Sequence, residues 1–367
     1  MSESSSMLLI GVGTAGSTMA RGVSRAFGEG LRHLLIDTDA VSGNAGGPFV
    51  LIGGDRLSGR GAGGDIVAGR LAAEDSIKSL DEHIEGVRLA VVVTSLGGGT
   101  GGGATLEIVK HLTGHGIPAI VFATTPFAFE GEERHRNARG IMAMIEDVAN
   151  ATFFIQLDKL IQDADVMDEA MRRAVDTVAS GVTLFWRLVE KPGYIRLDTE
   201  RLRHLLAGSG RGRFAAVTVQ GPNRAAEAVD SLIRSEMLAA ASGPVNAILC
   251  GVLAGEDLRL SEINTVAEGL RGAFGERHTF ELATVNDESV FCGRISTVVM
   301  LFEADTGTST DDKSDGASGP KKKKRPGGVL GVGPQGRGRF NNAEPTIFNS
   351  EDLDIPTYLR KNISLDF

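Results

Sequence analysis

With 367 residues, 42% of them hydrophobic, and a mean hydropathy near zero, the chain carries enough apolar material for two ordinary globular domains plus a tail. No apolar run approaches the ~20 residues that span a bilayer, and the N-terminus lacks the basic region and cleavage pattern of a secretory signal, so a cytoplasmic protein is expected. The formal net charge of −9 argues against a general nucleic-acid binder. Cys250 and Cys292 lie in apolar surroundings without histidines at ligand spacing, which excludes a disulfide framework and a cysteine zinc site; both read as core thiols.

In chain order, a strand at Leu8–Ile10 precedes a helix from Ser17, a strand at His33–Ile36 and a helical stretch near Gly69–Leu80. Leu89–Thr94 reads as a buried strand, with a helix over 104–112, then strands at Ile117–Ala123 and Thr152–Leu157. This alternation implies a parallel sheet covered on both faces. Met171, Ala174, Val175, Val178, Val182, Phe185, Trp186 and Val189 recur at three- and four-residue intervals, which predicts a long helix ending at the Lys191-Pro192-Gly193 breaker. From about Phe214 a second, α+β domain is expected: a strand at Ala215–Val219, a helix over Arg224–Leu238, a strand at Val245–Leu253, a helix near Leu260–Phe274, and strands at Phe280–Thr284 and Ile295–Phe302. After Glu303 the composition turns to Thr, Ser, Asp, Gly and Lys, which predicts a disordered linker.

The run Gly97-Gly98-Gly99-Thr100-Gly101-Gly102-Gly103 places six glycines around one threonine between a strand and a helix. Glycine at such a turn lets backbone N–H groups face inward at a positive helix end, so a phosphate is the natural ligand; a flexible surface loop is the alternative. A second turn, Gly11-Val12-Gly13-Thr14-Ala15-Gly16, fits G-x-G-x-x-G, with Asp37 ending the next strand where a dinucleotide fold places its ribose-binding acid. Alone this would suggest NAD. Two glycine turns on neighbouring strand ends suggest instead a mononucleotide whose phosphates are held from both sides, and no Walker-type sequence occurs. Gly59–Gly64 is either a further phosphate loop or an ordinary turn.

These residues resemble the tubulin and FtsZ superfamily, and within it bacterial FtsZ, over almost the whole chain. The glycine motif at 97–103 matches except that Gly102 stands where the family has a hydroxyl residue. Further matches are Ile10–Gly16, Asp37-Thr38-Asp39-Ala40, Gly61-Ala62-Gly63, Pro126–Gly131 with Arg134, Pro192-Gly193, Asn223-Arg224-Ala225, and a tail, Glu351–Arg360. The resemblance implies an α/β architecture: a parallel-sheet nucleotide-binding domain (7–168), a central helix (169–191), an activating α+β domain (192–303), a disordered linker (304–340) and a partner-binding tail (341–367). It implies head-to-tail filaments with GTP or GDP and Mg²⁺ at each junction, Mg²⁺ riding on the nucleotide and no metal held by protein side chains. Gly11, Gly13, Gly16 and Gly97 to Gly103 would hold phosphates, Thr100 would cap the helix, and Glu130 and Arg134 would contact sugar and phosphate or form a surface ion pair. The tail residues Leu353, Ile355, Pro356, Tyr358, Leu359 and Arg360 would dock on a membrane-anchoring division adaptor.

Several positions depart from the family pattern. Met171 replaces an aromatic, Leu157 replaces an Asn before Asp158, and Val175 stands where the family reads guanine with an Asp; Asp176 is adjacent but about 100° away around a helix. In the catalytic loop Asp198 matches the first acid, Arg201 replaces the second, and Glu200 is a substitute acid. Slow or absent hydrolysis is therefore expected. The alternatives are a nucleotide-independent scaffold or modulator of a true FtsZ and, more distantly, an NAD-dependent enzyme. Lys321–Arg325 reads as a solvated linker charge run, a nuclear signal, or a contact for anionic lipid or nucleic acid.

Overall fold

The computed structural model describes residues 6–28, 30–160, 166–191, 193–206, 209–239, 245–275 and 279–304, together with 347–348 and 351–352. Ten strands make one sheet: β1 (Met7–Val12), β2 (His33–Asp37), β3 (Phe49–Leu51), β4 (Leu89–Ser95), β5 (Ala119–Thr125), β6 (Ala151–Gln156), β7 (Ser209–Gln220), β8 (Val245–Ala254), β9 (Thr279–Asn286) and β10 (Arg294–Ala304). Their order is β3-β2-β1-β4-β5-β6-β7-β10-β8-β9. The strands from β3 to β7 are parallel, β10 is antiparallel to β7 and β8, and β8 is parallel to β9. The two halves of the sheet meet at a short seam, Thr152 opposite Arg211 and Phe153 opposite Gly212. The described residues from 6 to 304 form one unit. Separately, Ile347 and Phe348 pair antiparallel with Asp352 and Glu351.

The helices are α1 (Gly13–Phe27), α2 (Gly54–Leu57), α3 (Ile66–Ser76), α4 (Asp81–Ile84), α5 (Thr105–Gly114, preceded by a wider helical turn at Thr100–Ala104), α6 (Glu132–Glu146), α7 (Met167–Glu190), α8 (Thr199–Leu206), α9 (Arg224–Ile233), α10 (Glu236–Ala239), α11 (Leu260–Phe274) and α12 (Glu288–Phe291). Because side chains alternate across a strand, the uninterrupted apolar run of β4 serves two cores. Leu89, Val91 and Val93 join Met19 and Val23 of α1 and Val178, Val182, Phe185 and Trp186 of α7. Ala90 and Val92 face Leu106, Val109 and Leu112 of α5 and Ile141 and Ile145 of α6. Helix α7 also covers Leu249, Val298 and Met300, so it underlies both halves of the sheet. A third core joins Ile248, Cys250 and Val252 to Leu232 of α9 and Leu270 of α11.

Some expectations need correction. Helix α1 begins inside the first glycine motif, at Gly13, and not at Ser17. The helix expected over Arg224–Leu238 breaks at Arg234-Ser235 into α9 and α10. Cys250 is a core thiol, pushed up to about 12 by burial, but Cys292 is exposed and hydrogen-bonded to Glu288, which raises the thiol and lowers the carboxylate. Lys321–Arg325 and the anchors from Leu353 to Arg360 lie outside the described residues, as do the side chains of Met171 and Ala174.

Candidate functional site

The first six strands run β3-β2-β1-β4-β5-β6, so the order reverses between β1 and β4, and both glycine turns follow those two strands. In open α/β sheets a ligand sits outside the strand carboxyl ends at such a reversal. Val12 and Gly99, the residues before the two helical segments, offer no side-chain cap, and neither first turn contains an acid. Two positive helix ends, neither capped by a side chain nor carrying an acid in its own first turn, therefore meet at one point. The neighbouring α3 is different, since Asp65 accepts hydrogen bonds from Val67 N and Ala68 N. The turns touch: a Cβ on Gly13, whose φ is +74°, would lie 3.2 Å from Gly101 N.

Most glycines of the long run admit the protein's own backbone. A Cβ on Gly101 would fall 2.2 Å from Ser95 O, and one on Gly103 2.1 Å from Ile66 O. Gly97 has φ +100° and abuts Pro126, whereas a Cβ on Gly98 would meet nothing within 4 Å. Gly98 is thus where an outside group can approach.

Thr100 does not cap the helix. It lies within the wide turn, and its Oγ1 is 2.6 Å from Thr38 Oγ1, tying that turn to the end of β2. Residues that sequence reasoning passed over complete the frame. Thr94 Oγ1 lies 3.0 Å from Gly101 O and 3.3 Å from Val12 O, and Thr105 donates to Gly101 O at 2.6 Å. Threonine at a strand end beside a glycine run was the available signal. Asp37 is buried and accepts from Thr14 Oγ1 at 3.0 Å, Ser42 Oγ at 2.6 Å and Thr38 N at 2.8 Å, so its carboxylate is committed internally. Ser17 Oγ, within α1, is buried without a hydrogen-bond partner.

Glu130 pairs with Arg134, and its other oxygen accepts from Phe127 N at 2.8 Å. The Arg134 side chain of this pair is more than half exposed. Asp176 lines a cleft of about 780 Å³ with Arg173, Thr177, Ser180 and Ala216, on the β7 side of α7. Val175 packs on α1, its Cγ1 3.7 Å from where a Cβ on Gly22 would sit. Asp176 also lines a second cleft with Gly22 and Ala26 of α1 and Thr218 of β7, so both residues border α1.

The loop acids stand elsewhere. Asp198 Oδ1 accepts from Glu200 N at 3.1 Å, which makes Asp198 the N-terminal cap of α8; Glu200 is exposed near Arg203, and Arg201 pairs with Glu281 of β9 at 2.8 Å. Leu202, Arg203 and Leu206 of α8 border Ser6, Arg88 and Pro118, at the amino ends of β1, β4 and β5. The glycine turns occupy the carboxyl ends of those strands, which for six residues are about 20 Å away.

This arrangement defines a class, that of α/β proteins holding a nucleotide phosphate group at paired glycine turns. A family model described as Tubulin/FtsZ family, GTPase domain matches residues 6–165. The cell division protein FtsZ of Pseudomonas aeruginosa is 30% identical over 287 residues, covering 76% of this chain and 72% of that protein. That of Pseudomonas putida is 29% identical over 286 residues, with the same coverage. Among solved structures, an empty FtsZ dimer of M. jannaschii superposes with a TM-score of 0.76 at 22% identity, covering 84% of this chain and 95% of its own. A GTPγS-bound CetZ2 protofilament from Haloferax volcanii gives 0.69 at 23% identity, covering 82% and 93%. The chain belongs to the tubulin/FtsZ family, as a divergent FtsZ-like member.

Proposed function

We propose that this protein forms head-to-tail filaments, binds GTP between successive subunits, and hydrolyses it slowly. The observation that carries the reading is the meeting of two uncapped, acid-free helix N-termini at the sheet reversal, with Gly98 open to an incoming group. The residues present fit a nucleotide's phosphates: Gly11, Gly13 and Gly16 on one side, Gly97 to Gly103 on the other. Mg²⁺ would bind through phosphate oxygens and water. In this reading residues 7–168 bind nucleotide, 169–191 form the connecting helix, 192–303 activate the neighbour's site, and 341–367 recruit a division adaptor at the membrane. Slow turnover follows from Arg201, which cannot act as a base where the family has an acid, leaving Asp198 and Glu200.

The placement of α8 at the amino ends of the strands supports a site completed by a second copy. A second reading, a scaffold or FtsZ modulator that polymerises without nucleotide, is favoured by Val175, an apolar residue packed on α1 where the family reads guanine with an Asp. The NAD reading loses support because the Asp37 carboxylate already has three partners. Equilibrium binding of GTP, ATP and NAD with Mg²⁺, followed by sedimentation, tests these readings. Selective GTP binding with GTP-dependent pelleting is expected; pelleting without any nucleotide binding would replace the first reading by the second.

A further inference from the structure

At the other end of α5 from the glycine turn, three potential metal ligands converge. His111 and His115 stand four residues apart at its last turn and C-terminal cap, on one side of the helix, and Asp81 begins α4 beside them. His111 Nε2 is 2.7 Å from Asp81 Oδ1, and the two imidazole centroids are 4.3 Å apart. One ligand atom from each of the three residues lies within 4.8 Å of the others. His115 Nδ1 lies 2.9 Å from the carbonyl of His111. A carbonyl can only accept, so Nδ1 carries the proton and Nε2 keeps its lone pair. A backbone hydrogen bond of this kind is what orients metal-ligating histidines.

We propose that Asp81, His111 and His115 bind a divalent transition ion of the zinc class, separate from the Mg²⁺ that accompanies the nucleotide. Two imidazoles and a carboxylate are a borderline donor set that suits zinc over magnesium or calcium, and a fourth, water-filled position remains open. Tetrahedral zinc at about 2.1 Å from each donor needs donor separations of about 3.4 Å. The cluster reaches this by closing its widest separation through up to about 1.4 Å and opening the 2.7 Å His111–Asp81 contact by about 0.7 Å, with the ion replacing that hydrogen bond. The negative end of the α5 dipole adds to the attraction for a cation. Bound there, the ion ties α4 to α5 at the amino edge of β4 and β5.

The test is titration of the chelator-stripped full-length protein with Zn²⁺ against a chromogenic competitor, alongside thermal melts. One equivalent is expected to bind and to raise the melting temperature. His115→Ala and Asp81→Asn should each weaken binding at least tenfold and remove the zinc-dependent shift, while His135→Ala leaves both unchanged. Melts without zinc show whether each variant is folded. Absence of stoichiometric binding by the unaltered protein, or affinity in both site variants unchanged from the unaltered protein, overturns the proposal and leaves His111–Asp81 as a simple surface hydrogen bond.

Discussion

Gly98→Ala separates phosphate binding from packing more cleanly than any other substitution in the glycine turn. Its backbone is not in the left-handed region, and the added methyl would meet nothing within 4 Å. The folded state therefore bears no strain, and the reduced freedom of the unfolded chain should raise stability by about 0.4–1 kcal/mol. Gly103→Ala, five residues on, would set its methyl 2.1 Å from Ile66 O and 2.6 Å from Arg70 N. Neither atom can retreat without moving α3, so a loss of about 3 kcal/mol is expected. Denaturant unfolding should rank the two variants about 3–4 kcal/mol apart, the arithmetic difference of those estimates. Binding of a fluorescent GTP analogue should run against that order for Gly98→Ala, which should bind at least tenfold more weakly than the unaltered protein although it is no less stable. Unchanged GTP affinity in Gly98→Ala would refute the placement of phosphate over this turn. Unchanged stability in Gly103→Ala would refute the account of the glycines as packing residues.

Two further outcomes follow from the same geometry. Asp198→Ala removes the cap of α8, costing about 1 kcal/mol of stability, and should abolish whatever GTP turnover is measured by phosphate release. Arg201→Asp breaks the pair with Glu281, whose side chain is mostly buried, and sets a second carboxylate beside it, so a loss of at least about 1 kcal/mol of stability is expected while turnover rises at least tenfold; no increase would show that Arg201 is not what limits hydrolysis. Glu262 is held below the usual carboxylate range by its hydrogen bonds from the buried Arg224. Its contribution is thus present above the ordinary carboxylate value of about 4.3 and is lost as pH falls through the lowered one. Glu262→Gln should cost about 2 kcal/mol at pH 7 and flatten the acid limb of the stability profile, as read from denaturant melts between pH 7 and 3.

The strands of the first half were legible because their apolar runs admit little else, and α11 was legible to its last residue at Phe274 because its apolar stripe ends at a glycine. Helix α6 was not, since Glu132–Glu146 is dominated by charge and buries only Ala138, Ile141 and Ile145. The glycine run announced a close approach but not by what: phosphate and the protein's own backbone ask for the same missing Cβ, and only the packing of α3 distinguishes Gly103 from Gly98. Thr100 was misread because the helix starts one residue earlier than a capping threonine requires. Cys292 looked apolar beside Phe291, yet Phe291 turns inward at the end of α12 and Cys292 outward. Val175 and Asp176 are about 100° apart around α7, yet both border Gly22 of α1, so the rotation per residue alone did not separate their surroundings.

Under the proposed function, the polarity of the parallel sheet ties binding, hydrolysis and assembly together. The glycine turns cluster at the carboxyl ends of β1 and β4, and α8 borders the amino ends of the same strands. A strand of six residues keeps these ends about 20 Å apart, beyond the reach of any side chain, so Asp198 cannot touch phosphate bound to its own subunit. A two-fold dimer would bring like ends together and leave each site without its acid. In the proposed assembly only heterologous contact, carboxyl end of one sheet against amino end of the next, would supply Asp198 to bound nucleotide, and that contact leaves both outer ends unsatisfied. Repeated, it extends an open filament, so in this arrangement the chemistry of the site and the growth of the polymer depend on a single junction.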